Sequence, residues 1–204
     1  QVKFSDVYTE GITKITAADV NYAKEMGNVI KLIGIARNTS NGIEAGVYPM
    51  MIDKKHPLAT VRDSFNAVFV HGDAVGDTMF YGRGAGKLPT ASAVVSDVVD
   101  AVKHMHTNIM TIWEERKSNL GKFEDCENKF FVRMQVSNEP GVLAAIAKVF
   151  GDHKVSIERV IQEQAKAAKA ELVIGTSVVK EYHLQDALEE LKEMPIVSEI
   201  SSII

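Results

Sequence analysis

The clearest pattern of apolar and polar positions lies in the last third of the chain. Phe130-Phe131-Val132-Arg133-Met134-Gln135-Val136 alternates as a strand does, and Asn138-Glu139-Pro140-Gly141 follows as a turn. Leu143, Ile146, Ala147 and Phe150 then recur at helical spacing and predict a helix over 142–150. A strand over 155–162, a polar turn over 164–169 and a third strand over 171–179 come next. A helix over 183–193, broken by Pro195, and a last strand over 196–204 complete the series. The order β-α-β-β-α-β is the ferredoxin-like split motif, and the free edges of such a sheet invite pairing with a second copy.

The first region is less regular. Thr16 reads as an N-cap with Asp19 three residues on, a carboxylate form of the capping box, for a helix running to about Glu25 and stopping at Gly27. Strands are predicted over 29–36, 42–52, 67–70 and 78–81, with 71–77 joining two antiparallel strands and 57–61 forming a short helical turn. A long helix over 89–106 carries Val94, Val95, Val98, Val99, Val102 and Met105 on one side, with Pro89 at its first position, where a missing N–H costs nothing. The mixed-charge stretch after it is a connector. The expected organisation is α+β: a first region 1–106 of mixed sheet and helices, a connector 107–128, and the βαββαβ module 129–204.

Composition narrows the function classes. The chain has 204 residues, 46% of them hydrophobic and 25% charged, as in an ordinary globular protein. A formal charge of −4 argues against a nucleic-acid surface, and no apolar run reaches the ~20 residues of a membrane span. The single cysteine, Cys126, forms no internal disulfide, which fits a reducing, cytoplasmic setting; its neighbours Asp125 and Glu127 raise its pKa rather than activate it. His104 and His106 point to different faces of a helix, and His56, His71, His153 and His183 show no ligand spacing, so no metal site is expected. The chain opens without a methionine and in a strand-like run, which suggests that a segment preceding it has been removed.

The candidate chemistry sits in two places. Gly82, Gly84 and Gly86 lie between a strand and a helix, where backbone N–H groups meet the positive end of a helix dipole and favour anions or carbonyl oxygens. The spacing is neither G-x-G-x-x-G nor a P-loop, whose Lys is followed by Ser or Thr rather than Leu88. A tight, closely packed turn is the simpler reading of those glycines alone. The second place is the Asn138–Gly141 turn, where Pro140-Gly141 needs no more explanation than a turn, just as Ile157 and Ile161 need none beyond core packing.

Taken with its surroundings, the glycine loop says more. Gly82-Arg83-Gly84-Ala85-Gly86-Lys87-Leu88-Pro89-Thr90-Ala91-Ser92-Ala93-Val94-Val95-Ser96-Asp97 strongly resembles the closing motif of the catalytic domain of homoserine dehydrogenases. Gly11-Ile12, Ile33-Gly34, Val47-Tyr48-Pro49 and His56-Pro57-Leu58 also look like that family, and the resemblance covers almost the whole chain. It implies NAD(P)-dependent interconversion of L-homoserine and L-aspartate 4-semialdehyde, with Gly82, Gly84, Ala85 and Gly86 near the nicotinamide side of the cofactor. Lys87 and Leu88 vary in the family and carry no role over. The dinucleotide fingerprint is absent, as is the family's G-x-D-A-x-x-K substrate segment, so no catalytic residue is assigned. This chain is expected to be a C-terminal part of the enzyme, inactive and cofactor-free by itself.

Asn138-Glu139-Pro140-Gly141-Val142-Leu143 resembles the signature of the ACT family of amino-acid sensors. By that likeness the effector, with L-threonine implied by end-product logic, would lie between this turn and the second strand of a partner. The residues implied are Asn138, Gly141, Val142, Leu143, Ile157, Val160, Ile161 and Gln162, and the assembly is a homodimer or tetramer through ACT–ACT pairing. The alternative is a non-enzymatic ACT-containing regulator.

Overall fold

The structure is a computed structural model that describes residues 2–107, 119–162 and 169–204. Two compact units emerge, the first from 1–26, 30–51 and 117–204, the second from 27–29 and 52–116.

The first unit is organised by a four-stranded antiparallel sheet made of β7 (Phe131–Ser137), β8 (Ile157–Gln162), β9 (Lys169–Thr176) and β11 (Val197–Ile203), in the order β11-β7-β9-β8. Helices α3 (Val142–Asp152) and α4 (Glu181–Glu193) cover one face, where Val132, Met134, Leu172 and Ile174 meet Ile146, Phe150, Leu184 and Leu188 in one core. The helical face of α3 is rotated from the predicted one: Val142, Ile146, Val149 and Phe150 go inside, while Leu143 is 40% exposed and Ala147 only half-buried. Both sets have helical spacing; the sheet selects the one whose branched side chains reach it. The third predicted strand is broken at Ser177-Val178. Beyond the break β10 (Val179–Lys180) leaves the sheet and pairs with β6 (Glu127–Asn128). Helix α4 starts two residues earlier than predicted, because the Cys126 carbonyl accepts the N–H of Glu181. The predicted turn over 164–169 falls almost wholly outside the described residues.

Phe131, Arg133, Glu171 and Val173 face the other way, and that side is covered by α1 (Ala17–Glu25). Its cap is the predicted one: the Thr16 hydroxyl accepts from Asp19 N–H, and the Asp19 carboxylate accepts from Thr16 N–H at 2.8 Å. A second sheet of the order β1-β3-β2 joins β1 (Tyr8–Thr9), β2 (Asn28–Thr39) and β3 (Gly42–Asp53). The chain opens not in a strand but in a 3₁₀ turn, Phe4–Asp6, ahead of β1. The described part of the connector packs closely. Leu120 bridges Ile43, Phe123 stacks on Tyr8 with ring centroids 3.9 Å apart, and Gly42 (φ +117) has no room for a side chain beside the Asn119 carbonyl.

In the second unit β4 (Phe65–Gly72) and β5 (Gly76–Arg83) form the expected antiparallel hairpin, with a three-residue loop closed by Gly76 at φ +73. Pro57–Thr60 is a 3₁₀ turn, its first free N–H (Leu58) taken by His56 Nδ1. Helix α2 spans Lys87–Lys103, shifted toward the N-terminus from the prediction. Pro89 is therefore its third residue, a position whose N–H also has no partner inside the helix.

Candidate functional site

The glycine loop leads from β5 into α2, and Gly82, Gly84, Ala85 and Gly86 are all exposed. Each glycine has its own reason. Gly86 sits at φ +125 as the N-cap of α2, a conformation that a side chain resists. Gly84 donates its N–H to the Ser64 carbonyl at 2.9 Å, and a Cβ there would collide with the Asn66 carboxamide. Gly82 has open space where a side chain would be, so nothing among the described residues requires it to be small. Arg83 is held by Ser64 Oγ and lies over the Phe65 ring, which keeps the loop's one cation turned back onto β4. Asn66, which sequence reasoning missed, overlies the loop because it pairs with Gly82 across the hairpin.

In the C-terminal module Gly141 adopts φ +92 and ψ −13 as the N-cap of α3; among the described residues no side chain caps the helix and nothing lies within 4 Å of a Cβ placed there. Backbone donors and the dipole of α3 are thus presented at an uncovered surface. The strand registers put this turn at the same end of the sheet as Gln162, with β9 between them, and put Ile157 at the opposite end. Asn138, Val160 and Gln162 are exposed, Val142 and Ile157 belong to the main core, and Ile161 packs with Tyr22, Phe131 and Val173. The eight implied residues therefore do not converge within one chain. Strand β8 is the sheet's edge, paired only with β9 among the described residues.

The sequence model of the homoserine dehydrogenase family matches residues 1–99, and that of the ACT domain matches 130–195. Homoserine dehydrogenase of Bacillus subtilis is 38% identical over 206 residues, covering 98% of this chain and 48% of its own length. That of Pseudomonas aeruginosa is 38% identical over 211 residues, covering 97% and 48%. A homoserine dehydrogenase structure from Thiobacillus denitrificans superposes with a TM-score of 0.88 at 34% identity, covering 99% of this chain and 47% of that one. The chain belongs to the homoserine dehydrogenase family. It is α+β, carries an ACT domain, and spans about half the length of the curated relatives it matches.

Cys126 is buried, and burial together with the nearby Glu44 carboxylate pushes its thiol up to about 12. The direction agrees with the sequence reading, but the causes are burial first and Glu44 across the fold second, not Asp125 or Glu127 next in the chain. A cavity of about 260 Å³ beside it is lined by Asp6, Tyr8, Phe123 and Cys126 among others. Among the described residues no group of three or more His, Cys, Asp or Glu could hold a metal ion, and no helix is long and apolar enough to cross a membrane.

The largest feature that the sequence concealed is a buried charge cluster on the sheet face opposite α3 and α4. Arg133 Nε donates to Asp19 at 2.8 Å, one of its terminal nitrogens to Glu171 at 2.9 Å and the other to the Thr16 hydroxyl at 3.1 Å. Asp19 is 0% exposed; burial opposes its charge, but the hydrogen bonds from Arg133 and Thr16 outweigh that and hold its carboxyl below the usual range. A lone Arg in an apolar strand was the only signal available, and its partners lie 114 and 38 residues away.

Proposed function

We propose that this chain supplies the cofactor-facing glycine loop and the effector sensor of a homoserine dehydrogenase. In that reading residues 1–106 belong to the catalytic and dimerisation region, 107–128 connect, and 129–204 sense the effector. The reaction is the interconversion of L-homoserine and L-aspartate 4-semialdehyde on the route to threonine and methionine, in the cytoplasm. NAD(P), when bound, would supply the hydride acceptor or donor for that reaction. Gly82, Gly84, Ala85 and Gly86 would border its nicotinamide end; the open space over Gly82 and the left-handed N-cap at Gly86 fit a group brought close to backbone.

The effector is L-threonine, feeding back on the pathway. The observation carrying this reading is the N-terminus of α3 at Gly141, which no described side chain caps or covers, a place for a carboxylate. Asn138, Val142 and Leu143 would flank the bound amino acid. Ile157, Val160, Ile161 and Gln162 of a second copy would close over it, Gln162 offering both an amide donor and an acceptor. Pairing of two modules also covers the β8 edge, giving a homodimer or tetramer.

Titration calorimetry with L-threonine, serine, methionine and isoleucine tests the sensor. Heat from threonine at a stoichiometry matching ACT pairs is expected, and silence from all four would sink it. The same purified chain mixed with homoserine and NADP is expected to form no NADPH.

A further inference from the structure

Helix α1 has nine residues, a length at which an isolated helix is marginal in water, so its persistence depends on what holds it. Two attachments tie it to the ACT sheet. At its N-terminus Arg133 of β7 grips both members of the capping box, Thr16 and Asp19. In its middle the Tyr22 hydroxyl donates to Glu171 of β9 at 2.8 Å, and the Tyr22 ring packs in a small cluster with Phe131, Val173 and Ile161. Glu171 is the hub of both attachments, because it also accepts from Arg133 and from Gln135 at 2.6 Å.

Ile161 lies on the edge strand β8, whose pairing to β9 shifts register between Ile157 and Arg159. An edge strand held on one side only is the part of a sheet that a ligand or partner displaces most easily. Ile161 packs against the cluster that contains Tyr22, and Tyr22 shares its carboxylate partner with the arginine that holds the α1 cap.

We propose that α1 is the read-out element of the ACT module: occupancy at the β8 edge reaches it through Ile161 and Tyr22, and the Glu171–Arg133–Asp19 cluster sets how firmly its N-terminus is held. The proposal rests on the effector reading above and adds to it the element that responds. Effector binding biases a short helix between more and less firmly held states, which is the physical requirement for coupling two sites. Arg133, Glu171 and Tyr22 act as positioning residues and touch no substrate.

Hydrogen exchange over residues 17–25 of the 204-residue chain, with and without saturating L-threonine, tests this. Exchange there is expected to change by about fivefold or more, the lower end of ordinary coupling. Tyr22→Phe keeps the ring but loses the bond to Glu171; it is expected to bind threonine with the wild-type heat while the α1 response shrinks. Threonine heat with unchanged α1 exchange would overturn this proposal and leave the sensor intact. A full α1 response in Tyr22→Phe would also overturn the route. Silence in calorimetry would remove the sensor, and this inference with it.

Discussion

Helices α2 and α4 carry equally plain apolar stripes, and the fold treats them in opposite ways. In α4 Leu184, Ala187, Leu188 and Leu191 are all fully buried against the ACT sheet. In α2 Val99 is 47% exposed and Val102 60%, and Val94, Val95 and Val98 are exposed as well. Periodicity therefore tells which side of a helix is apolar, and only tertiary structure tells whether anything covers it. The same contrast runs through the charges: Arg83 lies on the surface over an aromatic ring, while Arg133 is enclosed by two carboxylates.

The buried cluster gives the sharpest way to break this comparison. Arg133→Met leaves Asp19 buried without its cation, and removing one partner of a buried pair costs about 3–5 kcal/mol. The midpoint of urea unfolding should fall accordingly, and a loss below about 1 kcal/mol would mean that Asp19 finds water or another partner. The cluster also gives acid sensitivity. Because the folded-state pKa of Asp19 is depressed, its contribution is present above the ordinary carboxylate range and is lost as pH falls through the folded value.

A matched pair of truncations comes next in size. Ile146→Ala in the saturated core should cost about 2–5 kcal/mol, whereas Val98→Ala on α2 should stay within about 0.5 kcal/mol. Equal losses at both positions would show that α2 is covered in solution by something the chain presents to itself or to a second copy.

The legible parts of the molecule were those that local chemistry decides. The Thr16–Asp19 cap, the Gly27 stop, the hairpin around 71–77 and the βαββαβ order each follow from a few adjacent residues. The break at Ser177 depends on β6, about 50 residues upstream, so the 171–179 run looked like one strand. The choice of α3 face depends on where the sheet lies. Leu143 looked like core for that reason, although the ACT resemblance also implied it as an effector contact; it is 40% exposed. Asn66 and the Asp19–Arg133–Glu171 cluster had no local signature, because each is assembled from chain-distant residues.

The smallest expected effect is at Glu181, and it has the opposite sign to that of Asp19. Glu181 is buried at the start of α4, where among the described residues its side-chain partner is Gln185, whose amide donates to Oε1 at 2.7 Å. Burial raises its carboxyl pKa, outweighing the favourable bond from Gln185, and Glu10 adds to the rise. A carboxyl with a raised folded-state pKa favours the fold most below its unfolded value, and that benefit fades as pH rises through the folded one. Glu181→Gln keeps an oxygen for Gln185 and removes the charge. It should raise Tm modestly at pH 7.5, and the difference should shrink as pH falls into the ordinary carboxylate range. A variant no more stable than wild type at pH 7.5 would mean that the Glu181 charge is solvated after all, and that Asp19 and Glu181 do not divide as the structure divides them: one held by a cation, the other only tolerated.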